Sequence, residues 1–139
     1  MMNSRFRILA LILYLALIFF ISSRPHLRPP GPEFKLKDKL AHLSEYFILG
    51  ALLFEGFGRG VSRSKFGTFI FLFAVGTSIG ALDEIFQSYI PGREMSAHDW
   101  LFDAVGVGLG SGVFVHFGLR KRIAMRNRSL PRSEGGAEP

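Results

Sequence analysis

The chain has 139 residues, enough for one domain but not for two full cores. Hydrophobic residues make up 48% of it, with 15 Phe, more apolar mass than a soluble domain of this length can hide. There are no cysteines, which excludes disulfides, thiolate metal sites and cysteine nucleophiles. The net charge of +6 lies between the apolar runs and in the tail, a distribution that suits membrane orientation and anionic lipid rather than nucleic acid.

A hydrocarbon core takes about 20 helical residues to cross, because loose strands would leave backbone groups unpaired in lipid. Four apolar runs meet that length: Phe6–Ser22, Leu40–Phe57, Phe66–Gln87 and Trp100–Leu119. The expected fold is therefore an all-α, four-helix transmembrane bundle. The first run has no small-x-small cleavage site before Ser22-Ser23, so an uncleaved anchor is expected rather than a removed signal peptide. Arg24–Pro32 holds four of the seven prolines and reads as an extended loop. Gly58–Lys65 is a short polar turn, and Tyr89–Ala97, centred on Pro91-Gly92, is another. Residues 120–139 are basic, then rich in Gly, Pro and Glu, and read as a frayed end and disordered tail. The chain thus divides into 1–37 (first helix and Pro-rich loop), 38–119 (a three-helix core) and the tail 120–139. Small residues four apart, Gly76 and Gly80 on the third helix and Gly106, Gly108, Gly110 and Gly112 on the fourth, suit close packing within the bundle. A dimer face is the alternative.

Orientation follows from Lys and Arg. With both termini inside, the inner segments hold Arg5, Arg7, Arg59, Arg63, Lys65, Arg120, Lys121, Arg122, Arg126, Arg128 and Arg132. The outer ones hold Arg24, Arg28, Lys35, Lys37, Lys39 and Arg93. That is 11 against 6, so the positive-inside rule predicts N-in/C-in in the plasma or inner membrane. The acids run the other way: Glu33, Asp38, Glu45, Asp83, Glu84, Glu94, Asp99 and Asp103, eight of eleven, fall on the outer half.

Three helix ends carry this chemistry. Asp38, His42 and Tyr46 are spaced i, i+4, i+8 and share a face of the second helix. Asp83 and Gln87 share a face at the end of the third, with Glu84 beside them. Asp99 and Asp103 are one turn apart in the fourth, and Arg93 sits in the turn between. A rise of about 1.5 Å per residue predicts an outer layer of Asp38, Gln87 and Asp99. His42, Asp83 or Glu84, and Asp103 then lie about 6 Å deeper, with Tyr46 below them. Taken singly, Glu45, Glu84, Glu94 and His98 read as interfacial charges, and Glu55 and His116 as structural residues at the opposite end. As a group, charged residues inside apolar runs on three helices at one depth read as a shared polar site, with a purely structural hydrogen-bond network as the alternative. Each buried carboxylate costs about 2.5–3.5 kcal/mol on insertion scales.

These residues resemble the VanZ-like family of bacterial membrane proteins. The match is an Asp-Lys-x-x-His-x-x-x-Tyr opening (Asp38, Lys39, His42, Tyr46) and a block Asp-Glu-x-x-Gln…Pro-Gly-Arg…Asp (Asp83, Glu84, Gln87, Pro91, Gly92, Arg93, Asp99), followed by Gly106. It covers Asp38–Gly112. Where the family has Asn four residues after the last Asp, this chain has Asp103. The family takes its name from a protein linked to low-level resistance to the glycopeptide teicoplanin, so the resemblance implies a membrane location and a cell-envelope, antibiotic-resistance theme.

Three functions fit these parts. The first is a site open to the outer leaflet that binds an amphiphilic envelope molecule. Lys39 and Arg93 would hold an anionic head, with Asp38, Tyr46, Gln87, Asp99 and Asp103 lining the site and the Phe-rich helices taking the chain. The second is a membrane-embedded enzyme on a lipid-linked substrate, with Asp83 or Glu84 as base and His42 as proton shuttle. Its variant is a divalent metal on His42, Asp83 and Asp99 or Asp103, Mg²⁺ or Ca²⁺ suiting the oxygens and Zn²⁺ an added His. The third is a small transporter, which four helices would support only as a homo-oligomer.

Overall fold

The computed structural model describes residues 3–25, 37–62 and 64–129. It is all-helical. Helix α1 spans Ser4–Ser22 and α2 Lys37–Leu53. Helix α3 spans Lys65–Gln87 and α4 Ala97–Ser129. With α2 continued to Gly58, all four are long and apolar enough to cross a membrane, so the chain has the make-up of a multi-pass membrane protein. Most of the predicted Pro-rich loop, and the tail beyond Ser129, lie outside the described residues. Helix α4 runs ten residues past the end expected at Leu119, because no Gly or Pro interrupts the stretch from Arg120 to Ser129.

Polar residues set the boundaries. The Asn3 side chain accepts the Arg5 N–H at the start of α1, and Ser64 accepts the Gly67 N–H at the start of α3. Helix α2 ends through a π-helical turn at Phe54–Gly58 and one further helical turn, Arg59–Val61. At this end of the bundle Arg7 lies 4.0 Å from Glu55, the structural role expected of Glu55. At the other end, Ile90-Pro91-Gly92-Arg93 makes a tight turn. Pro91 fixes its φ, Gly92 takes φ 79°, and the Arg93 N–H donates to the Ile90 carbonyl at 3.1 Å, as in a type II turn.

Helices α2 and α4 form the tightest pair. A Cβ on Gly50 would sit 2.6 Å from the Val107 carbonyl, and one on Gly106 2.5 Å from the Leu43 carbonyl. One on Gly110 would run into the Phe47 carbonyl. The absent side chains let the two backbones touch, which is how helices gain contact where lipid offers no hydrophobic drive. Gly108 and Gly112 instead face Phe73 and Phe69 of α3. Both glycine stripes are thus used inside the bundle. The core is filled by Leu49 and Leu53 from α2, Phe54 from the π-helical turn, Leu72 from α3, and Val107 and Val115 from α4. Helix α1 lies against this core through a narrow stripe, Leu11, Ile18 and Ser22, and exposes Ile12, Leu13 and Phe20 on its outer side.

Candidate functional site

The polar residues singled out by spacing converge at one end of the bundle. Helix direction brings them there: α2 and α4 begin at this end and α3 finishes at it. In the outermost layer the Lys39 ammonium donates to Asp99 Oδ1 at 2.7 Å, with both side chains partly exposed. Asp38 is exposed, and Asp38, His42 and Asp99 present ligand-type atoms within 4.8 Å of one another.

One turn deeper, His42 Nδ1 and Asp103 Oδ1 are hydrogen-bonded at 2.9 Å. Asp103 is fully buried, and the His42 side chain is 11% exposed. Glu84 of α3 completes this layer: His42, Glu84 and Asp103 also bring ligand-type atoms within 4.8 Å. Below them Tyr46 is fully buried. Gly80 makes room here, since a Cβ on it would lie 3.3 Å from both Asp103 Oδ2 and the Tyr46 ring.

A second polar branch runs toward α1. Gln87 donates to Asp83 Oδ2 at 2.9 Å and to the Ser22 hydroxyl at 3.2 Å. Arg93 in turn donates to Gln87 Oε1 at 2.9 Å and to the Arg24 carbonyl at 3.2 Å. Spacing placed Asp83 beside His42 as a base or metal ligand. The structure ties it to its i+4 neighbour Gln87, and neither carboxylate–histidine group includes it. Gln87 likewise sits in this buried branch rather than in an open outer layer. The two cations expected to hold an anionic head are both engaged by the protein, Lys39 by Asp99 and Arg93 by Gln87 and Arg24.

Glu84, which read singly as an interfacial charge, is 3% exposed. One oxygen accepts the Ser96 N–H at 2.7 Å, while the Ser96 hydroxyl accepts the Asp99 N–H at 3.2 Å and caps α4. Glu94 and His98 are exposed, as expected of isolated surface charges. Sequence reasoning missed Ser96, although Ser96-x-x-Asp99 has the form of a helix-capping motif. It also missed Ser22, a lone polar residue at the end of an apolar run.

Four polar atoms in this region are buried without a hydrogen-bond partner among the described residues: Asp83 Oδ1, Glu84 Oε1, Asp103 Oδ2 and the Tyr46 hydroxyl. A buried acceptor left unmade costs about 1–3 kcal/mol, so a donor or positive charge beside these oxygens would be stabilising. Among the described residues this end carries the carboxylates of Asp38, Glu45, Asp83, Glu84, Asp99 and Asp103 and the cations of Arg24, Lys37, Lys39 and Arg93, with His42 able to add another. A cleft of about 230 Å³ opens beside the cluster, lined by Ala81, Glu84 and Ile85 of α3, Met95 and Ser96 of the turn, and Trp100 of α4. Its walls are apolar apart from Glu84 and Ser96. No protein-family model, curated protein or solved structure matches the chain.

Proposed function

We propose that this protein binds an amphiphilic cell-envelope molecule. Its polar head would rest on the His42–Glu84–Asp103 cluster and the start of its acyl chain in the cleft beside Trp100. One observation carries this reading: Glu84 belongs at once to the buried polar cluster and to the wall of the apolar cleft. The buried, unpartnered oxygens of Asp83, Glu84 and Asp103 favour a head rich in hydroxyl or amine donors, as in lipid-linked saccharides and lipoglycopeptides, over direct capture of an anion by Lys39 and Arg93. The VanZ-like motif over Asp38–Gly112 supports the envelope setting, and the Lys and Arg distribution supports a site open to the outer leaflet.

Trp100, the sole tryptophan, lines the cleft and provides a built-in reporter. Titrating teicoplanin into protein reconstituted in nanodiscs should give a saturable change in its emission. Glu84→Gln and Asp103→Asn should each weaken binding by about tenfold or more, the cost of losing a charge-assisted contact. A response no different from empty nanodiscs, or unchanged affinity in both variants, overturns the reading.

The 2.9 Å His42–Asp103 pair above a buried Tyr46 favours a second reading, acid–base chemistry on a lipid-linked substrate. Turnover by the wild type that is lost in Asp103→Asn, with binding retained, would select it.

A further inference from the structure

We infer that His42, Glu84 and Asp103 form a divalent-cation site of the kind that takes Zn²⁺ or Mn²⁺. The three residues come from three different helices, and their ligand-type atoms lie within 4.8 Å of one another. Metal–ligand bonds of about 2.0–2.2 Å put neighbouring ligands roughly 3–3.4 Å apart, or about 4.2 Å across the ion, so the group needs only sub-ångström adjustment. The mixed donor set, one imidazole and two carboxylates, suits a first-row dication better than Ca²⁺. Three protein ligands also leave an open position for water or a ligand oxygen.

Two orphaned atoms on these residues are a second observation, separate from the clustering. Glu84 Oε1 and Asp103 Oδ2 are buried and find no hydrogen-bond partner among the described residues, although the opposite oxygen of each carboxylate is bonded. Neutral His42 and two ionised carboxylates carry a charge of −2, which a dication cancels and a single proton does not. The neighbouring group Asp38, His42 and Asp99 lacks this signature. Its Asp99 is already paired with Lys39, and its Asp38 faces solvent. The inference does not depend on whether an amphiphile binds above the ion.

The test uses full-length protein in mild detergent, stripped with chelator and titrated calorimetrically with ZnCl₂ and, separately, MnCl₂. Near one ion per chain should bind. Glu84→Gln and Asp103→Asn should each weaken binding at least about tenfold, and far more than Asp38→Asn does. Circular dichroism and gel filtration report whether the variants fold. Should they fail to fold, pulsed electron paramagnetic resonance on the Mn²⁺-loaded wild type should show the nitrogen coupling of a directly bound imidazole. Absence of saturable binding overturns the site. So does loss of binding in Asp38→Asn with Glu84→Gln and Asp103→Asn unaffected, or a Mn²⁺ spectrum without that coupling. No cell-envelope molecule enters these experiments, so their failure is distinct from failure of the ligand-binding reading.

Discussion

Glu84 holds together two features that the sequence presents separately: the polar cluster and the first turn of α4. One oxygen accepts the Ser96 N–H, a group that helix geometry leaves without an internal partner. Glu84→Ala should therefore destabilise the protein by about 1.5–3 kcal/mol, the range for a hydrogen bond to a charged group. Glu84→Gln, which keeps an acceptor in place, should retain most of that stability. Thermal unfolding in detergent separates the two, and equal losses would show that the Ser96 contact contributes little. Tyr14 offers a milder comparison. Its hydroxyl reaches the Glu45 carbonyl at 3.0 Å and is a polar tie between α1 and α2. Tyr14→Phe should cost only about 0.6 kcal/mol, typical of interhelical hydrogen bonds in membranes. At this scale the i, i+4 spacings of Asp38–His42 and Asp99–Asp103 made the site legible. Which carboxylate faces His42 was not legible, because Asp83 and Glu84 are adjacent and differ by about 100° around α3. Only the packing of α3 against α4 decides between them, and it turns Glu84 inward to the cluster while Gln87 claims Asp83.

Between elements, glycine sets how close α4 comes to α2, and that spacing sets the reach of His42 to Asp103. The two faces of α4 should answer differently to substitution. Gly110→Val directs a side chain at the Phe47 carbonyl, and backbone cannot yield as a side-chain tip can. We expect a loss of at least about 1–3 kcal/mol, the usual cost of overpacking. Gly108→Ala meets nothing closer than the Phe73 ring at 3.4 Å and should be tolerated. Equal effects would mean that the α2–α4 contact does not limit stability. The four membrane-length helices and the turn at Pro91-Gly92 were legible, since hydropathy and the Pro-Gly pair fix them. The extension of α4 to Ser129 was not, because its continuation is polar and hydropathy marks only where lipid ends. Nor was the π-helical turn at Phe54–Gly58 visible, since a single widened turn changes neither composition nor period.

For the molecule as a whole, the polar cluster, the cleft and the turn at Pro91-Gly92 lie at one end, and the Arg7–Glu55 pair with the turn at Ser64 lies at the other. The function proposed here requires the first end to face outward, where envelope molecules and cations meet the membrane. The 11-to-6 split of Lys and Arg favours that direction. The chain has no cysteine, so single introduced thiols report their side without background. Tyr89 is 79% exposed beside the cluster, and Ser64 is exposed at the opposite end. In intact cells, Tyr89→Cys should react with a membrane-impermeant maleimide, whereas Ser64→Cys should react only after permeabilisation. The reverse pattern would place the acidic cluster toward the cytoplasm. It would leave the cation site chemically intact but remove the envelope ligand from its reach, because neither the charged head of a lipid-linked saccharide nor that of a lipoglycopeptide crosses the hydrocarbon core unaided.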